Sequence, residues 1–318
     1  MNGQPGMRAA FCELSSSSLI SFSGEDAASF LHGQLTSDIA GLRAPVTQYA
    51  GYCSAKGRLL ATFLVWRLEN EILLQLPRVL HDALQSRLVK YVLRARVKVT
   101  NASDRFVLFG LVNADAANTR IAVSSATLPQ AAHQVVLFDA GALTLLPLRR
   151  YLMLVDRTRA HDVRVNLEKV AEERDECVWQ RLEIEAGIPL ITPPTQDEYV
   201  PQMANLDLIG GVSYTKGCYP GQEIVARTHY LGRLKQRMYH VRMATPEPPA
   251  AGDALYSSEF GPDQASGKIL SVETGTRDGA YDALAVIQTG VARDGHVYWR
   301  SLDGPALEFV PLPYTIPS

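Results

Sequence analysis

Cys218 is the side chain with the most chemistry in reach. It stands in Gly210-Gly211-Val212-Ser213-Tyr214-Thr215-Lys216-Gly217-Cys218-Tyr219-Pro220-Gly221-Gln222-Glu223. This stretch reads as a short strand feeding a loop and then a helix, on which Ile224, Val225, Thr228 and Leu231 are roughly aligned. Gly217 frees the backbone beside the cysteine, and Pro220-Gly221 closes the turn before the helix. A thiol close to a helix N-terminus and two residues from Lys216 meets two positive influences. Both favour the thiolate, which is the nucleophilic and metal-binding form. Arg227 and His229, further along the helix, add to that field. The same spacing also fits a tight strand-to-helix connection whose cysteine is merely small.

A second stretch, Trp179-Gln180-Arg181-Leu182-Glu183-Ile184-Glu185-Ala186-Gly187-Ile188-Pro189, is helical in pattern. Trp179, Leu182 and Ala186 share a face, and Gly187 with Pro189 ends it. Glu183 and Glu185 point in different directions, so they do not form an acid–base pair. A carboxylate near an aromatic ring suits a heterocycle bearing N–H donors, such as a pterin; a solvated helix carboxylate fits the same residues. Weaker candidates are His32-Gly33-Gln34-Leu35-Thr36-Ser37-Asp38, at the end of the first helix, and the basic hairpin turn Ser54-Ala55-Lys56-Gly57-Arg58. Arg227, Arg233, Lys235 and Arg237 form a positive run that suits a phosphate, a polyglutamate tail, RNA or simply water.

The elements that position these residues follow from periodicity. A helix opens at Ser23-Gly24-Glu25-Asp26 and carries Ala27, Phe30, Leu31 and Leu35 on one face. Strands are expected at 46–53, 58–68, 71–76, 97–100, 106–112, 134–138, 143–148 and 150–155. Helices are expected after Pro77, with Val79, Leu80, Leu84, Leu88 and Tyr91 on one face, and over 114–123 and 159–173. The proline-rich segment 245–252 then leads to short strands at 254–257, 268–272, 283–287, 297–299 and 307–310. The reading is an α+β protein with four parts: a flexible leader and first strand over 1–19, α+β units over 20–100 and 101–244, and a small β-barrel over 245–318. Residues 1–7 carry no charged region leading into an apolar run, and are expected to be a disordered leader rather than a secretory signal.

Composition narrows the function classes. Among 318 residues, Lys plus Arg is 31 and Asp plus Glu is 33, a formal net charge of −2 that disfavours a dedicated duplex-DNA binder. No apolar run approaches a membrane span. Cys12, Cys53, Cys177 and Cys218 form no C-x-x-C pair, and the histidines do not join them at zinc spacing. That pattern speaks against a metal site within one chain and against a disulfide framework, and it places the protein in the reducing cytoplasm. Cys12 and Cys53 read as small buried hydrophobes. There is no P-loop, no dinucleotide-binding glycine motif and no G-x-S-x-G elbow.

The run Lys216-Gly217-Cys218-Tyr219-Pro220-Gly221-Gln222-Glu223 resembles the signature of the YgfZ family, folate-binding proteins related to the glycine-cleavage T-protein. Gly33-Gln34-Leu35-Thr36-Ser37-Asp38, Ala55-Lys56-Gly57-Arg58, Glu183-Ile184-Glu185-Ala186-Gly187 and Pro201-Gln202-Met203-Ala204-Asn205-Leu206 match in the same order. The resemblance implies a T-protein-like fold around a central cavity and tetrahydrofolate, or a related folate, as ligand. It further implies a role with iron–sulfur proteins or their assembly factors, including those that modify tRNA; direct tRNA binding stays open. Carried over by residue, Cys218 is the functionally important cysteine. Lys216, Gly217, Tyr219, Gly221, Gln222, Glu223 and Arg227 are its surroundings. Trp179 matches a tryptophan associated with folate binding, and Glu185 the glutamate that holds the pterin. Ser16, Ser17 and Ser18 stand where the family has an aromatic folate contact. The resemblance does not place the T-protein's catalytic aspartate on a residue of this sequence, which counts against the alternative, a tetrahydrofolate-dependent aminomethyltransferase or demethylase. Cys218 is left as nucleophile, redox thiol or transient cluster ligand, and one cysteine holds a cluster only with a partner.

Overall fold

Continuous apolar runs become central strands, because a strand covered on both faces has no polar side to alternate with. Phe106–Val112 and Arg150–Asp156 are of this kind. They form the middle of a six-stranded sheet ordered Glu172–Glu173, Ala10–Glu13, Phe106–Val112, Arg150–Asp156, Gly141–Leu146, Val135–Phe138. Its ladders are antiparallel except the short parallel pairing of Ala10 and Phe11 with Glu172 and Glu173. One face of this sheet, with Phe109, Leu111, Tyr151 and Met153, shares a core with the helices Ala116–Val123 and Ala160–Glu168. A second sheet is ordered Val46–Cys53, Leu59–Arg67, Glu71–Pro77, Ser17–Ser23, Lys98–Asn101. The structure is a computed structural model and describes residues 8–230, 232, 234–275, 279–294 and 296–317. The expected leader at 1–7, and Leu231 and Arg233, lie outside the described residues.

The C-terminal sheet is ordered Tyr298–Trp299, Ala254–Tyr256, Gly267–Thr274, Ala280–Gln288, Gln236–Ala244, Glu308–Val310, antiparallel throughout. It curls into a half-barrel over Val241, Met243, Leu255, Ile269, Ala283, Ala285 and Ile287, and a register shift between Ile269 and Ser271 bends one strand. The strand Gln236–Ala244, which precedes the proline-rich segment, belongs to this sheet. Its charged residues hid the alternation in the sequence.

Other expected elements shift in detail. The first helix is only Ala27–His32. After Pro77, a 3₁₀ turn at Arg78–Leu80 precedes the helix His81–Val89 and changes its phase. Leu80, Leu84 and Leu88 are buried as expected, whereas Val79 and Tyr91 are exposed. The expected helix over 159–173 stops at Glu168, and its last residues instead pair as the strand Glu172–Glu173 with Ala10–Glu13.

By contacts the chain divides into two units, one of residues 1–30, 41–48 and 64–179, the other of residues 31–40, 49–63 and 180–318. Among the described residues no helix is long and apolar enough to cross a membrane.

Candidate functional site

The second unit holds Cys218. No strand leads into its loop. Residues 201–210 are a succession of turns and 211–213 are irregular, which corrects the strand–loop–helix reading. The segment is fixed by side chains instead. Thr36 Oγ1 donates to Gly211 O at 2.6 Å and accepts from Gly51 N at 2.7 Å, while Ser213 N donates to Thr36 O at 2.9 Å. Every backbone group tied off this way lacks a ladder partner and needs another.

Lys216 is the next clamp. Its Nζ donates to His32 O and, at 2.7 Å, to Leu35 O, and lies 4.6 Å from the Tyr219 ring centroid. These carbonyls end the helix Ala27–His32, where a cation is favoured. Burial brings the Lys216 amine down to about 8, opposed by the charges of Asp38 and Cys218. The lysine therefore fastens the loop to the 32–38 segment as well as standing near the thiol. His32 Nδ1 is 3.1 Å from Asp38 Oδ1. Tyr219 is buried, which pushes its phenol up, and Cys218 itself is exposed.

Gly221 makes the second join. Its φ is +77°, and a Cβ there would lie 2.4 Å from Gly57 Cα and 2.5 Å from Ser54 O. The hairpin turn 54–58 and the turn at Pro220-Gly221 thus meet backbone to backbone, a contact only glycine permits. The helix then runs over Gln222–Tyr230, with Glu223 in its first turn and Arg227 and His229 in its last, both favourable to the macrodipole. It begins four residues after Cys218, so the thiol lies outside its first turn. Gln222 Nε2 donates to Lys216 O at 3.4 Å, and Gln202 Nε2 to Val225 O at 2.7 Å. The stretches 33–38, 55–58 and 201–206, each weak as a motif, are thereby assembled around 216–223.

The other predicted residues are elsewhere. Trp179 and Glu185 share the helix Cys177–Glu185. Trp179 is 2% exposed. Its indole lies so close to Gly110 that a Cβ there would be 2.3 Å from Cε3, and the Arg150 guanidinium sits 4.9 Å above the ring. Ser16 N, in the segment where an aromatic residue was expected, donates to Glu176 at 3.0 Å, and the preceding Ser15 Oγ does so at 3.1 Å. Glu185 is half-buried with Arg181 Nε at 3.7 Å. Burial raises its carboxyl above the usual carboxylate range, with Arg181 opposing.

Sequence reasoning missed the network next to Glu185. Asp282 Oδ1 accepts from His240 Nε2 at 2.9 Å and from Arg242 Nη2 at 2.8 Å. Burial alone would raise the Asp282 carboxyl, yet these bonds hold it low. The available signal was charge inside otherwise apolar strands. Arg237 corrects the basic run, because it is 6% exposed and pairs with Asp207 at 2.8 and 3.1 Å. Arg227 is exposed. Among the described residues no group of three or more His, Cys, Asp or Glu is placed to hold a metal ion.

No family model matches the chain. It is 32% identical over 300 residues to the tRNA-modifying protein YgfZ of Sodalis glossinidius, covering 94% of this chain and 90% of that protein. Identity to the tRNA-modifying protein YgfZ of Edwardsiella ictaluri is 32% over 303 residues, with 93% and 89% covered. The chain belongs to the YgfZ family. Among solved structures it is similar to the glycine cleavage system aminomethyltransferase T from Bartonella henselae, with a TM-score of 0.77 and 18% identity over 95% of this chain and 85% of that one. The fold is therefore that of the T-protein, and within it residues 216–221 form a loop whose framework is internal and whose thiol is exposed.

Proposed function

We propose that this YgfZ-family protein binds tetrahydrofolate and serves iron–sulfur enzymes, including tRNA-modifying ones, through Cys218. The observation that carries the reading is the contrast within one loop. Lys216, Tyr219 and Gly221 are spent on fixing the backbone, while Cys218 is left exposed. A cysteine so presented suits exchange with another protein, and a cluster handled there would be cargo completed by a partner's ligands.

The residues present fit a folate at one point. Glu185 offers a carboxylate whose only short-range cation is Arg181 at 3.7 Å among the described contacts, so its oxygens suit two N–H donors of a pterin. Trp179 offers no open ring face, and its part is to set the position of Arg150. When bound, tetrahydrofolate supplies a one-carbon carrier or a reductant.

Calorimetric titration with tetrahydrofolate tests the reading. We expect saturable binding that Glu185→Ala weakens about tenfold, the value of one charge-assisted bond pair. Binding needs the ionised carboxylate, which burial raises, so affinity should climb with pH through a window above the ordinary carboxylate range. Absence of binding, or a variant that binds as tightly as the native chain, would overturn it. The alternative, one-carbon transfer of the T-protein type, is supported by the fold and requires turnover of an N-methyl or aminomethyl substrate with tetrahydrofolate. Binding without turnover favours the accessory role.

A further inference from the structure

Residues 87–98 of the first unit hold five cations, Arg87, Lys90, Arg94, Arg96 and Lys98, and no carboxylate, in a chain of net charge −2. All five are exposed. Arg96 meets Glu25 at 2.6 Å and Asp26 at 3.7 Å. Even with Asp82 of the preceding helix counted, positive charge is left over. The same segment leaves large apolar side chains in water: Val89 is 46% exposed, Tyr91 48% and Leu93 87%. Of the ten such side chains exposed among the described residues, four fall between Val79 and Leu93. Scattered singly they would call for no explanation; gathered among cations they mark a contact surface.

Backbone bonds hold the segment in place. Tyr91 N donates to Leu88 O at 3.0 Å, Val92 N to Val89 O at 3.1 Å and Ala95 N to Val92 O at 2.9 Å. At its far end Arg96 N donates to Asp26 Oδ2 at 2.8 Å. Arg96 O lies so close to Gly24 that a Cβ there would be 2.2 Å from it. Leu93 stands between these ties at φ +46°, a left-handed conformation that crowds a side chain against its own backbone. One position thus combines an unfavourable backbone with a solvated leucine, and covering that leucine would repay the second of these costs.

We infer that residues 87–98 form a docking surface for an acidic segment of a different protein, one with apolar side chains set among its carboxylates. The mixture decides the class. A nucleic acid would use the cations and stack on Tyr91, but its phosphates and sugars have no use for Val89 and Leu93. A membrane-surface helix parts its apolar and charged residues onto opposite faces, whereas Val89-Lys90-Tyr91 and Leu93-Arg94 interleave them along the chain. Carboxylates facing the cations and aliphatic groups facing Leu93 and Val89 meet both halves of the pattern. The surface shares no residue with the Cys218 loop or with Glu185, and the inference does not rest on the folate reading.

The probe is a short fluorescent peptide of glutamate and leucine in helical register, followed by anisotropy on the full chain. It should bind saturably and weaken as salt rises. Leu93→Gly removes the apolar anchor and suits the left-handed backbone, so it should weaken the peptide about tenfold without lowering the melting temperature. Lys90→Glu combined with Arg94→Glu, both at exposed positions, should weaken it by about tenfold or more. The peptide with serine in place of leucine should bind about tenfold more weakly than its parent. No saturable binding, or binding left unchanged by Leu93→Gly or by the serine peptide, would overturn the inference. Single-stranded RNA or phosphatidylserine vesicles bound more tightly than the peptide, and released by the same substitutions, would give the surface to a nucleic acid or a membrane and overturn the protein assignment. Self-association of the native chain in sedimentation, lost in Leu93→Gly, would give it to a second copy and overturn it equally.

Discussion

Trp179 and Cys218 are both expected from the sequence to serve the site, and the fold treats them in opposite ways. Trp179 lies in the first unit, 2% exposed, with its indole pressed on Gly110 and covered by the fully buried Arg150. His133, near Arg150, is kept neutral there, brought down to about 4 by burial and by that guanidinium. Polar groups in this region are consumed by the interior. In the second unit the loop 216–221 spends its lysine, its tyrosine and its glycine on the same kind of internal work, yet leaves the thiol outside. A matched residue type can thus be retained for packing or for reaching solvent, and only its surroundings tell which.

The cysteines give the widest separation. Cys12 and Cys53 are buried, and burial pushes both thiols up to about 12. Reaching them requires opening a core whose stability is on the order of 5 kcal/mol or more, so their alkylation should be slower than that of Cys218 by roughly a thousandfold or more. Mass spectrometry of the folded chain after timed maleimide exposure should find Cys218 modified first. Comparable rates would erase the distinction between the buried and the exposed thiols. In cells lacking the native gene, Cys218→Ala should fail to restore iron–sulfur enzyme activity while its unfolding free energy stays within about 0.5 kcal/mol of the native protein's. A large loss of stability would make the exposed cysteine structural after all.

Gly110→Ala probes the sealed side. The added Cβ would sit 2.3 Å from Trp179 Cε3 on a central strand, where neither backbone nor ring gives easily. A cost of about 1–3 kcal/mol is expected, the usual penalty of overpacking. Denaturant melts should show it, and the alkylation rate of Cys218 should not change. A neutral substitution would mean that the indole is free to move, and with it the claim that Trp179 offers no open face.

Much of the fold was legible because strands such as FVLFGLV and RYLMLVD announce themselves by apolar runs. The strand Gln236–Ala244 did not, because Arg237, His240 and Arg242 interrupt it. They are tolerated only because Asp207 and Asp282 arrive from distant parts of the chain. The same reason explains what was hidden at the site. Cys218 and its neighbours were visible as a motif, but the joins that build the loop are long-range. Lys216 reaches carbonyls at His32 and Leu35, and Gly221 lies against Gly57. Local spacing carries no record of such pairings. The basic run after the helix was misread for a related cause, since a charge count cannot distinguish a solvated arginine from one buried against an aspartate.

Lys216 supplies the smallest and sharpest test, because it belongs to both halves of the comparison: a half-buried polar clamp that stands beside an exposed thiol. Its amine is brought down from 10.5 to about 8, chiefly by burial. The folded chain therefore gives up this proton before the unfolded chain does. Between about pH 8 and 10.5 the unfolded state holds more protons, so stability should rise with pH across that window, and the penalty of burying the charge is fully present below it. The joint should survive neutralisation, since an uncharged amine still has two N–H donors for the carbonyls of His32 and Leu35. Solvent screening of a partly exposed group reduces the effect to on the order of 1 kcal/mol, about 2 °C in melting temperature for a chain of this size. Lys216→Met should lack this upward trend relative to the native chain. Parallel pH profiles for the two would mean that the lysine is solvated, and the loop would then need another explanation for holding Cys218 where it does.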